Sequence, residues 1–230
     1  MIIRMFLLVG VLLAPSAASA QSKPVTVKTE LVTIALTETV DGLFYFDGKT
    51  AQPFTANLTG IGQPFEYEGP QRFVVRANAA EFSAPPPLPP PAASVLLPLR
   101  CSRVLLACIK PPDKALRIAA YDISTKDRAG DYRFFNFSDR PLSLILDGRK
   151  LALAPGKDAS LTSTKWRDAV LDLPVQVAAV EKDKPKLVYS SVWGHRPGRR
   201  NFVFMFKGSH PSKPVTFCRF FDIPPAVKAE

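Results

Sequence analysis

The side chains best suited to chemistry lie between Trp193 and Arg200, in the run Trp193-Gly194-His195-Arg196-Pro197-Gly198-Arg199-Arg200. A guanidinium offers its N–H donors in a planar fork. Arg196, Arg199 and Arg200, on a loop pinned by Pro197 and Gly198, therefore read as a clamp for a phosphate, sulfate or carboxylate. His195 and Trp193 complete this candidate set for binding an anion or a partner. The plainer reading is a solvated hairpin tip whose charges shield an aromatic strand pair from aggregation. Catalytic candidates are scarcer. The sequence holds no G-x-S-x-G elbow and no H-E-x-x-H, no cysteine has a matched histidine context, and nothing singles out a carboxylate pair such as Asp168 and Asp172. No catalytic residue is assigned and no cofactor is implied. A metal site is disfavoured, because C-x-x-C spacing is absent and the two histidines, His195 and His210, fall in turn-like sequence.

Aromatic side chains offer a second kind of chemistry. Trp166, Trp193, Tyr132, Phe134 and Phe135 are candidates for a carbohydrate platform, although their placement in strands makes core packing the default. The three cysteines allow one disulfide with one thiol left over. Cys101 and Cys108 would stand about 23 Å apart on an extended strand at ~3.3 Å per residue, so the expected bond joins Cys218 to Cys101 or Cys108; three small buried thiols are the other reading.

The elements that must position these groups are strands. Asp147-Gly148 lies between two hydrophobic runs and supplies the positive φ angles of a two-residue type I′ turn. A two-residue loop sets Leu146 opposite Arg149, Leu144 opposite Leu151 and Leu142 opposite Leu153. The leucines then share one face, and Ser143, Ile145, Lys150 and Ala152 take the other. Upstream, Tyr132 to Phe137 is an aromatic strand; downstream, Ala154-Pro155-Gly156 stops the ladder. Asp47-Gly48 repeats the hairpin dipeptide and raises the question of an internal duplication, though the flanking residues diverge. The run 104–109, VLLACI, is apolar on both alternations and reads as a strand buried on both faces. Leu187 to Trp193 and Asn201 to Lys207 read as a hairpin with the His195 loop at its tip, while Pro174 splits 170–180 into two short strands or one edge strand.

Residues 1–20 combine Arg4, an apolar run from Met5 to Leu13 and an Ala18-Ser19-Ala20 site, the layout of a cleaved secretory signal. This predicts an exported protein, periplasmic or extracellular, with no transmembrane segment in the mature chain. Residues 84–91, with six prolines in eight positions, read as a stiff polyproline II loop within residues 21–124. The polar run 124–130 is the expected boundary before a second unit over 125–230. Short strands separated by frequent turns, with no convincing amphipathic helix, predict an all-β fold: antiparallel β-sandwiches, arranged as two packed Ig-like or sandwich units. A single continuous sandwich is the alternative.

Removing residues 1–20, which hold Arg4 and no acidic residue, lowers the formal net charge from +10 to +9. Such a balance favours acidic surfaces, among which envelope polymers, anionic lipid and acidic proteins all qualify. Nucleic acid is disfavoured, since the basic residues are scattered and export removes the opportunity.

The run Tyr132-Arg133-Phe134-Phe135-Asn136-Phe137-Ser138, with Arg140-Pro141, Ala154-Pro155-Gly156, Ser191-x-Trp193, Pro197 and Arg200, resembles a pattern in secreted β-rich proteins of bacteria to which no activity is attached. The resemblance covers mainly the C-terminal half and carries no functional residue with it. The expected function is a non-catalytic structural or binding component of a bacterial envelope, contacting an acidic polymer or partner protein. The alternative is a carbohydrate-active or other hydrolytic enzyme.

Overall fold

The computed structural model describes residues 25–124, 128–181, 184–210 and 212–224. The expected signal segment, 1–20, lies outside them, and so do residues 125–127 at the expected boundary. In the first half the strands are β1 (Thr26–Ala35), β2 (Val40–Phe46), β3 (Ala51–Ala56), β4 (Phe65–Pro70), β5 (Arg72–Arg76), β6 (Ala93–Leu96), β7 (Arg103–Ile109) and β8 (Arg117–Asp122). The second half holds β9 (Tyr132–Phe137), β10 (Leu142–Leu146), β11 (Arg149–Leu153), β12 (Asp158–Leu161), β13 (Leu171–Glu181), β14 (Lys184–His195), β15 (Arg200–His210) and β16 (Lys213–Asp222). One turn of helix, α1 (Lys165–Asp168), precedes β13.

These strands form four sheets of four, so the protein is all-β and its sheets pack as sandwich-like units. Sheet I has the order β3-β2-β5-β6 and sheet II the order β4-β1-β7-β8; sheet III is β12-β9-β15-β16 and sheet IV β11-β10-β13-β14. Adding eight to every strand number converts I into IV and II into III. The match extends to strand direction, since β1 and β7 are parallel and so are β9 and β15, with the remaining pairs antiparallel. Both Asp-Gly dipeptides fall in the equivalent hairpin, β2–β3 and β10–β11. Their turns differ. Asp147 and Gly148 both have positive φ and close a two-residue loop. Asp47 instead folds its carboxylate onto the amides of Lys49 and Thr50 in a longer loop, where Gly48 alone has positive φ.

Three buried clusters order the sheets as I, II, III, IV. Leu31, Phe54, Phe73, Val104 and Leu106 fill the space between I and II. Tyr132, Leu144, Trp166, Val177 and Trp193 fill that between III and IV. Val32, Ile34, Leu105, Ala107, Phe135, Phe202 and Phe204 pack sheet II against sheet III. β7 therefore sends Val104, Leu106 and Cys108 one way and Leu105, Ala107 and Ile109 the other, which is why VLLACI lacks a wet face. The leucine face of the β10–β11 hairpin points into the III/IV core in the expected register.

Three expectations are corrected. Leu187–Trp193 and Asn201–Lys207 are not a hairpin: β14 pairs with β13 in sheet IV, whereas β15 pairs with β9 and β16 in sheet III. Residues 196–199 therefore cross from one sheet to the other. Pro174 does not split its segment, because β13 is one long strand in the interior of sheet IV. The Pro174 carbonyl accepts from the Asp147 amide at 2.8 Å, so its missing N–H also faces the β10–β11 turn, just past the last ladder pair Leu146–Val175. Finally, the expected bond from Cys218 to Cys101 or Cys108 is not formed and all three remain thiols. Cys101 and Cys108 face the I/II core, while Cys218 packs on the II/III cluster across sheet II. The proline-rich loop is tied to sheet I by Arg76, whose Nη1 donates to the Pro89 carbonyl at 2.8 Å.

Candidate functional site

The crossing segment between β14 and β15 lies at the open end of the III/IV sandwich. There the start of β13, the end of β14, the start of β15 and the end of β16 surround a cleft of about 400 Å³. Its walls separate the five residues expected to act together. His195 is 1% exposed and both its ring nitrogens are engaged. Burial pushes the Tyr132 phenol up to about 12, so that hydroxyl stays protonated and donates to His195 Nδ1 at 3.1 Å. Nε2–H of the ring then donates to the Trp166 carbonyl. Trp193 is buried in the III/IV core and its Nε1 donates to Tyr189 Oη at 3.0 Å. These two side chains hold the end of the sandwich together.

Arg200 points the opposite way. It is 1% exposed at the II/III interface, where its Nε donates to Asp222 Oδ2 at 2.7 Å and its Nη1 to the Ile123 carbonyl. Arg103 of β7 joins the same carboxylate at 3.4 Å and pairs with Glu30 at 2.8 Å. Arg200 is thus a structural ion-pair residue bridging the two halves, not part of a ligand clamp. Of the expected set, only Arg196 and Arg199 face the cleft with solvent-accessible heads.

The sheet crossing brings in residues that the sequence reading passed over. Arg219 and Phe221, alternate residues of β16, line the same cleft. The Arg199 guanidinium lies over the Phe221 ring at 4.1 Å and that of Arg219 over the Trp193 ring at 4.8 Å. Among the described residues, neither of these arginines nor Arg196 is in an ion pair. Aromatic stacking restrains a guanidinium through its face and leaves the in-plane donors free. The mouth therefore presents three cationic heads, two of them pre-oriented, with Asp172 as the carboxylate on its wall.

The five aromatic candidates for a carbohydrate platform, Trp166, Trp193, Tyr132, Phe134 and Phe135, are all buried, as the default reading of core packing has it. The exposed aromatic side chain at the mouth is Phe221, 53% accessible. A second hollow of about 640 Å³ lies beside the β2–β3 turn, but its Lys28 and Lys49 face Asp47, Glu66 and Glu68, with Lys28 paired to Glu68 at 3.3 Å. That hollow is neutralised from within and offers an anion little.

No protein-family model matches the chain, and no curated protein does. Among solved structures it is similar to a DUF3823 family protein from Bacteroides ovatus, with 10% identity over 74% of this chain and 96% of that one. The TM-score of 0.17 is too low for this likeness to bear on fold or function. Among the described residues, no helix is long and apolar enough to cross a membrane.

Proposed function

We propose that this protein is an exported, non-catalytic binding component of a bacterial envelope that holds an acidic polymer or partner at the mouth of its C-terminal sandwich. One observation carries the reading: Arg196, Arg199 and Arg219 converge on one cleft without ion-pair partners, two of them held by aromatic faces. The excess of Lys and Arg over Asp and Glu supports it by raising the local concentration of acidic partners. The signal-like residues 1–20 are the basis for export.

The test compares two charge-matched triple variants of the mature protein against soluble polygalacturonate, polyglutamate and polyphosphate. R196A/R199A/R219A is expected to weaken binding about tenfold or more, as loss of charge-assisted hydrogen bonds requires. K184A/K186A/K213A removes the same charge from β14 and β16 and is expected to leave most of the affinity intact. Equal losses in the two variants would reduce the binding to net charge and overturn the assignment to the cleft.

A further inference from the structure

We infer that the ligand of this mouth is an acidic polysaccharide, recognised through a sugar ring as well as through its charge. The inference rests on the anion-binding reading above and narrows its ligand class. A site built for charge alone would have polar walls. Here the arginine heads stand beside two exposed apolar side chains of the same cleft, Phe221 at 53% and Val170 at 67% accessibility. Arg199 lies over the Phe221 ring at 4.1 Å, yet that side chain keeps 53% of its surface accessible, and Val170 keeps 67%. An aromatic face beside hydrogen-bonding groups suits the C–H-rich face of a pyranose, whose hydroxyls point outward in the ring plane.

Dimensions and polarity agree with this. A cleft of about 400 Å³ is at the small end of the range for ligand sites and suits one or two sugar units. Asp172 gives the arginine-rich wall an acceptor for sugar hydroxyls, which a polyanion without hydroxyls could not use. In the resulting arrangement a uronate-type carboxylate or sugar-borne phosphate takes the donors of Arg196, Arg199 and Arg219. The ring rests against Phe221 and Val170, and a hydroxyl donates to Asp172.

The experiment uses polygalacturonate, an acidic polymer of rings, and polyglutamate, an acidic polymer without them, on the mature protein and on F221S, which changes no charge. Phe221 is exposed at a strand end, and circular dichroism checks that the variant folds. Because F221S also releases Arg199, it is expected to weaken binding of both polymers, and to weaken polygalacturonate about threefold to tenfold more than polyglutamate, the range of one aromatic contact. D172N is expected to weaken polygalacturonate binding and to strengthen polyglutamate binding. If F221S changes both affinities by the same factor, or neither, while R196A/R199A/R219A abolishes both, the mouth binds anions but the sugar assignment is wrong. If the arginine variant also leaves both unchanged, the underlying anion site is wrong.

Discussion

At the scale of single residues, side-chain type is a poor guide to role until direction is known. His195 and Arg200 are the residues of the 193–200 run most often associated with chemistry, and both are consumed by structure: one bridges Tyr132 to Trp166, the other anchors Asp222. Asp147 shows the reverse, a turn residue with a second task. Its carboxylate pairs with Lys165 and accepts from Trp166 Nε1 at 3.0 Å, tying the β10–β11 turn to α1. The Lys165 hydrogen bond, followed by that of Trp166, holds the carboxyl below its ordinary value, against the opposing effect of desolvation. A folded-state pKa below the unfolded one contributes stability above the unfolded value, about 3.9, and that contribution is lost as pH falls through the folded value. Asp47, held down by the amides of Thr50 and Lys49, and Asp139, held down by Lys207, act in the same direction. Melting temperature is therefore expected to fall as pH drops below about 4, by a modest amount for carboxylates this near the surface. In D147N the drop between pH 5 and pH 2.5 should be shallower than in the wild type. Parallel curves would show that the Asp147 ion pair adds nothing.

At the scale of elements, what could be read from sequence was whatever is local. Asp147-Gly148 and its flanking leucines determine a register because turn geometry and alternation act over a few residues. VLLACI betrays a doubly covered strand for the same reason. The β14–β15 connection could not be read this way: the run 194–200, rich in Gly, Pro and Arg, suits a hairpin tip and a sheet crossing equally, and long-range pairing of β15 with β9 decides between them. A hairpin between β14 and β15 gives Arg219 and Phe221 no relation to Arg196 and Arg199; only the sheet crossing puts them in one cleft. Gly130 is a local signal with a long-range cause. Its φ is +89°, and an added Cβ would lie 2.8 Å from the Trp166 carbonyl oxygen, the same oxygen that accepts from His195. Gly198 has φ +78° but open space around it. Gly198→Ala is expected to cost only the left-handed backbone term, about 1–2 kcal/mol. Gly130→Ala should add about 1–3 kcal/mol of overpacking as α1 is displaced. Urea midpoints of the two variants check the order, and equal midpoints would mean that α1 yields without cost.

At the scale of the whole molecule, the repeated strand order poses the question of whether the two halves are independent sandwiches or one cooperative body. The II/III interface is the ground for expecting one body. It buries Phe135, Phe202 and Phe204 of the second half against Val32, Ile34 and Leu105 of the first, and the Arg103–Asp222–Arg200 network is buried at its edge. Tyr121 of β8 meets the Phe135 ring edge-on at 4.6 Å, and Arg133 of β9 donates to the Asp122 carbonyl at 2.7 Å, so backbone and side chains of both halves are engaged. Tryptophan position supplies the probe, since Trp166 and Trp193 both lie in the III/IV core and report only on the second half. Leu105→Ala is a truncation in the first half, on the face that meets sheet III, and large-to-small changes of this kind cost about 2–5 kcal/mol. If the halves unfold together, L105A should lower the urea midpoint seen by tryptophan fluorescence as far as that seen by circular dichroism. Leu106→Ala, the adjacent truncation on the I/II face, should do the same, because a single transition spreads any loss over the whole chain. A fluorescence midpoint that stays at the wild-type value in both variants would mean that the second half unfolds as a unit of its own.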